Sequence, residues 1–189
     1  MNGRAILAVP LVGFLAVASG CTGRLIKESM GVAMGAKGAT TMLQPVPQGH
    51  DARPLGVYER FELGQIRDDT NGQTPAAVFS LLPGAFEKQL ADKKIPNAAS
   101  GKTLLIRGKV LHYEDSGLVG QVFGPLEEVV ARIELVDKET GKVLGVANCV
   151  GRTQESVNIG VQTKVEGLAK AIVRWIDKLY PEEKRIREE

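Results

Sequence analysis

Gly101-Lys102-Thr103 ends like a phosphate-binding loop, in which glycine amides cradle phosphates and the lysine reaches the terminal ones. The full pattern needs a glycine five residues before Gly101, where Pro96 stands, and a helix after Thr103, where a strand pattern begins. Phosphate-loop chemistry is therefore excluded. Gly117, Gly120 and Gly124 form a second glycine-rich stretch, but no helix N-terminus follows to attract an anion. The nucleophile candidates Ser116, Ser156 and Cys149 lack a strand–turn–helix elbow. His50 and His112 are the two histidines, with no Cys-x-x-Cys or His-Glu-x-x-His spacing, so no metal or cofactor is expected. Glu114-Asp115 and Glu127-Glu128 flank the glycine-rich stretch as solvated strand ends, not as an acid–base pair. These residue types predict a protein that is not an enzyme.

The balance of 24 basic and 22 acidic residues is close to neutral, and aromatics make up only 5% of the chain. Neither feature supports a nucleic-acid partner, which needs a basic footprint and stacking rings. Within the glycine-rich stretch, Leu118, Val119, Val122 and Phe123 put four large apolar side chains on a loop. They must pack back on the domain or meet a partner, and they form the candidate interaction surface.

The first 20 residues explain where such a protein sits. Arg4 carries the one side-chain charge before Cys21, and Ala5 to Ala18 is almost wholly apolar, too short to span a bilayer comfortably. Residues 1–20 thus read as a signal peptide. Ala18-Ser19-Gly20-Cys21 resembles the lipobox of bacterial lipoproteins. The resemblance implies cleavage between Gly20 and Cys21, with acyl chains such as palmitate on Cys21. Thr22 follows in place of the aspartate that retains lipoproteins at the inner membrane, which implies the outer membrane, facing the periplasm. Ala16-Val17-Ala18 alternatively fits ordinary secretory cleavage, leaving a soluble protein in which Cys21 and Cys149 are both free to pair.

Residues 21–55 mix Gly, Ala, Met, Thr and Pro and read as a lipidated N-terminus with a flexible tether. Leu25, Ile26, Met30 and Met34 leave open a short docking helix there. The domain is expected over residues 56–180. Val57, Phe61 and Leu63 alternate as one face of a strand, and Thr74-Pro75 offers a cap and first position for a helix. That helix carries Val78, Leu82, Phe86 and Leu90, with a kink or break expected at Pro83. Leu104, Ile106 and Val110 mark a second strand, and Val129, Ala131, Ile133 and Leu135 a third. Asp137 to Lys142 turns into a fourth strand, Val143 to Thr153. Val165, Leu168, Ile172, Ile176 and Leu179 stripe a final helix, with Trp175 at the stripe's edge and Lys164, Lys170, Arg174 and Asp177 facing out. Pro181 ends it, and residues 181–189 read as a frayed charged tail. The sum is an α+β two-layer sandwich with a roughly four-stranded mixed sheet and helices on one face.

Leu105 to Val110, the glycines around Gly117, Ile133 to Asp137 and Thr140 to Leu144 resemble a lipoprotein family called domain of unknown function 4410. The layout is also similar to the periplasmic domain of the curli secretion lipoprotein and the N-terminal domain of the Tol-system propeller protein. Those resemblances imply an accessory role in the envelope and transfer no catalytic residue. The expected function is a membrane-anchored periplasmic interaction module with an envelope protein as partner. A carrier of a small lipid or glycan is the alternative.

Overall fold

The computed structural model describes residues 37–48, 52–114, 128–152 and 160–186. The elements in order are β1 (Lys37–Gln44), a 3-10 turn (Pro54–Val57), β2 (Arg60–Asp68), α1 (Ala76–Asp92), β3 (Thr103–Tyr113), β4 (Glu128–Asp137), β5 (Val143–Arg152), α2 (Val161–Leu179) and a second 3-10 turn (Glu182–Lys184). The sheet order is β1-β5-β4-β3-β2. Strand β2 runs parallel to β3 through the α1 crossover, and the other pairs are antiparallel. The fold is the α+β sandwich the alternations predict, with a fifth strand at one edge.

The strand alternations decide which face is covered. Leu104, Ile106, Val110, Val129, Ala131, Ile133 and Leu135 all lie buried in the layer between sheet and helices. From α2, Val165, Leu168, Ile172 and Ile176 meet them, and Trp175 is 2% exposed, a core residue as expected. Each fully buried side chain of this size contributes about 1.5–3 kcal/mol.

Helix α1 runs through Pro83 as one continuous helix, so of the expected kink or break the break does not occur. Proline there lacks the N–H that would bond the carbonyl four residues earlier, a defect costing about 3 kcal/mol. Val78, Leu82, Phe86 and Leu90 repeat at every fourth residue and are all at most 1% exposed, and their burial outweighs it. The start of α1 also differs from expectation. Pro75 occupies the cap position, and Thr74 instead donates its hydroxyl to Asp68 Oδ1 at 2.9 Å. Asp68 also accepts from Thr70 and the Gly72 amide, closing the β2–α1 turn.

Strand β2 starts later than expected. Val57 belongs to the 3-10 turn and is exposed, whereas Tyr58 and Phe61 turn inward.

The two ends of the domain depart furthest from the sequence reading. Residues 37–44, assigned to a tether, form edge strand β1, paired along β5 from Lys37↔Arg152 to Gln44↔Val146. Its inward positions are small or polar. A Cβ added at Gly38 would meet Ala171 N and Gly167 O at 2.5 Å, so the strand lies directly on the α2 backbone. Thr40 Oγ1 then donates to the Ala171 carbonyl at 2.9 Å. The segment after Pro181, read as frayed, is tied back through residue 186. Ile186 N bonds Lys94 O, Lys184 Nζ bonds Gly56 O, and Arg185 pairs with Asp177 at 2.7 Å.

Candidate functional site: charged clusters and open surfaces

Several residues singled out from the sequence lie outside the described residues: Gly20, Cys21, His50, Asp115, Ser116, Leu118, Val119, Val122, Phe123, Glu127 and Ser156. The remaining candidates are dispersed. His112 is exposed on β3, with Nε2 3.9 Å from the Glu114 carboxylate. Glu128 takes Arg152 in an ion pair at 2.8 Å, a cross-strand contact. Lys102, from the rejected phosphate loop, sits 3.3 Å from Asp137 and over the Tyr58 ring.

Cys149 is fully buried on β5, and burial pushes its thiol up to about 12. A thiol so placed is a small hydrophobe, not a nucleophile. In the native protein it is expected to resist a thiol reagent at pH 8 and to react once unfolded. Rapid labelling under native conditions would show that β5 opens.

Asp137 gathers a tight polar cluster. Its carboxylate accepts from the Thr140 amide and hydroxyl at 3.0 Å and from the Tyr58 hydroxyl at 2.8 Å. Backbone bonding from Thr140, helped by Tyr58 and Lys102, holds it well below the usual carboxylate range despite burial. Burial, reinforced by the Asp137 hydrogen bond, pushes the Tyr58 phenol well above the usual tyrosine range. Every oxygen here is engaged, and the cluster clamps the β4–β5 turn onto the first 3-10 turn. It is structural.

Lys164, expected from its charge on the outer face of α2, lies instead on the buried face. It is 1% exposed, donates to the Glu114 carbonyl at 2.6 Å, and lies 4.5 Å from the centre of the Tyr113 ring. Four residues before Leu168 and three after Val161, it occupies the apolar stripe, a signal available from spacing alone. Its bond holds the end of β3, where the glycine-rich stretch begins.

Among the described residues no group of three His, Cys, Asp or Glu side chains is placed to hold a metal ion. No described helix is long and apolar enough to cross a membrane. Among the described residues, the space between sheet and helices is packed with the buried side chains named above. A groove of about 510 Å³ lies on the uncovered face of the sheet, lined by Arg67, Arg107, Lys109, Arg132 and Glu134 among others.

The PelC dodecamer from Paraburkholderia phytofirmans aligns over 75% of this chain and 97% of that chain, with TM-score 0.52 and 15% identity. The chain shares the fold of PelC. A variant PelC structure from the same organism aligns over the same shares with TM-score 0.48 and 17% identity. A minor lipoprotein from Acinetobacter baumannii aligns over 64% of this chain and 94% of that one, with TM-score 0.38 and 20% identity. No protein-family model matches the chain, and no curated protein matches it. The resemblance drawn from Leu105 to Leu144 therefore rests on its own residues. The PelC likeness is one of architecture, and it matches the α+β layout reached from the alternations.

Proposed function

We propose that this chain is a lipid-anchored bacterial envelope protein whose α+β domain works as a non-catalytic assembly module. The observation that carries this reading is the seating of β1. The first described strand, β1, begins at Lys37, sixteen residues after the lipobox cysteine, and Gly38 and Thr40 seat it against α2. A chain of that length reaches at most about 55 Å fully extended. Acyl chains on Cys21 therefore confine the domain to a thin layer at the membrane. Confinement raises the effective concentration of any partner in that layer. Two acyl chains suffice for stable anchoring.

Thr22 favours the outer membrane, with the domain in the periplasm. The apolar packing between sheet and helices among the described residues supports a surface, not an internal cavity, as the working part of the domain. PelC is a dodecamer, which supports association between copies of this chain as its mode of action. The loop residues Leu118, Val119, Val122 and Phe123 are its proposed contact with an envelope partner.

The test is Cys21→Ser expressed in the native host. The variant is expected to move from the membrane to the soluble fraction with the melting temperature of its domain unchanged. Sedimentation of that soluble form is expected to show species larger than a monomer. Retention of the variant in the membrane fraction would remove the anchor, and a strictly monomeric species would remove self-assembly.

A further inference from the structure

The helices cover one face of the sheet, and among the described residues no element covers the other. Alternation with polar residues is ordinary for such a face, but the arrangement of charge here is not. Register places Arg67 beside Lys109, Lys109 beside Arg132, and Arg132 beside Asn148. Three cations on three adjacent strands therefore form one straight row across the sheet. Like charges directly opposite one another destabilise strand pairing. Carboxylates relieve the row only in part. Lys109 pairs with Asp69 at 2.6 Å, and the neighbouring Arg107 pairs with Glu134 at 2.9 Å. Arg132 Nε donates to the neutral Asn148 Oδ1 at 3.3 Å, and no ion pair joins Arg67 or Arg132 to a described carboxylate.

The row borders the groove of about 510 Å³, whose floor includes Gly108 and Leu105. The β2 register shift between Leu63 and Ile66 lies beside it. A Cβ at Gly64 would meet Leu105 Cδ1 at 2.7 Å, so a larger residue there would crowd that floor. Concavity, linear spacing and unneutralised guanidinium groups occur together.

We propose that this groove binds a linear, carboxylate-bearing glycan of the polyuronate type, laid across strands β2 to β4. Neighbouring strands lie about 4.8 Å apart, close to the interval at which carboxylates recur along such a polymer. Arginine presents a planar fork that takes a carboxylate through two parallel hydrogen bonds, a role suited to Arg67 and Arg132. Other polyanions fit less well. A nucleic acid calls for stacking rings, and the groove lining contains none. A membrane surface calls for apolar anchors beside the charges, whereas the exposed large hydrophobics among the described residues, Met42, Leu43, Val57, Leu81 and Ile186, lie outside the lining. An acidic peptide added as a strand to the β2 edge would lie beside Arg67 alone, whereas Lys109 and Arg132 sit on strands already paired on both sides. The inference is independent of the lipid on Cys21.

The experiment is titration of the purified full-length protein with a fluorescent oligogalacturonate, followed by anisotropy at low and at physiological salt. Saturable binding is expected, weakening as salt screens the row. The double variant Arg67→Gln, Arg132→Gln is expected to lose about tenfold in affinity. Its melting temperature is expected to stay level or rise, because the variant relieves like-charge crowding. Lys88→Gln, an exposed cation on α1 away from the groove, is expected to bind as the wild type does. Unchanged affinity in the double variant would overturn the site. Absence of saturable oligogalacturonate binding would do the same. Saturable binding of polyphosphate or phosphatidylglycerol vesicles in its place would overturn the glycan assignment.

Discussion

Gly151→Ala is expected to lower the stability of the domain by about 3 kcal/mol, or roughly 10 °C in melting temperature. A Cβ at Gly151 would run into the α2 backbone at Lys164 O, Leu168 N and Gly167 C. Backbone cannot swing aside as a side chain can, so the helix must lift from β5 or the strand must bend. Gly38 is the register partner of Gly151 on β1 and faces the same helix one turn further along. Gly38→Ala is expected to show a similar loss. The double variant is expected to lose less than the sum, since lifting α2 once relieves both contacts. Gly84 in α1 is the control, with nothing within 4 Å of an added Cβ. Gly84→Ala is expected to stabilise by about 0.5–1 kcal/mol through helix propensity. Thermal unfolding of the four variants beside the wild type checks the set. A Gly151→Ala protein melting within about 2 °C of wild type would mean that α2 does not seat on the sheet as described.

Asp137→Ala is expected to cost about 3 kcal/mol at pH 7, because it strips acceptors from the Tyr58 hydroxyl, the Thr140 amide and Lys102 at once. The pH dependence carries a sign that can be checked independently. Asp137 has a lower pKa folded than unfolded, so its contribution is fully present above the unfolded value of about 3.9. It is lost as pH falls below that value towards the folded pKa. Tyr58 has a higher pKa folded than unfolded, so its contribution holds up to about pH 10 and is lost as pH rises beyond. Wild-type stability measured by urea unfolding is expected to fall at both extremes. Asp137→Ala should flatten the acid limb and Tyr58→Phe the alkaline limb. An acid limb unchanged in Asp137→Ala would place the acid-sensitive group elsewhere.

Most of the fold was legible because its core strands and helices bury one side chain in two or two in seven. Leu104, Ile106 and Val110 announce β3 by alternation, and Ala131, Ile133 and Leu135 announce β4. Strand β1 carries no such signal. Its inward residues Gly38 and Thr40 are chosen for close approach to a helix, not for hydrophobicity, so they read as linker. The C-terminal segment is held through carbonyls of Gly56, Lys93 and Lys94, and no pattern of residue types encodes a backbone acceptor. Lys164 illustrates a different loss. Its position on the apolar stripe was readable, but its charge argued for solvent, and the Glu114 carbonyl that accommodates it lies 50 residues away. The cation row was hidden for a similar reason. Arg67, Lys109 and Arg132 look like separate outward residues until register aligns them. A near-neutral total charge conceals a local concentration of one sign.

The proposed anchoring of the domain at a membrane through Cys21 is read out by the intact mass of the protein extracted from its host's membrane fraction. A mass matching residues 21–189 plus a diacylglyceryl group, with or without an amide-linked acyl chain, is expected. An unmodified mass beginning at Ser19, recovered from the soluble fraction, would contradict it.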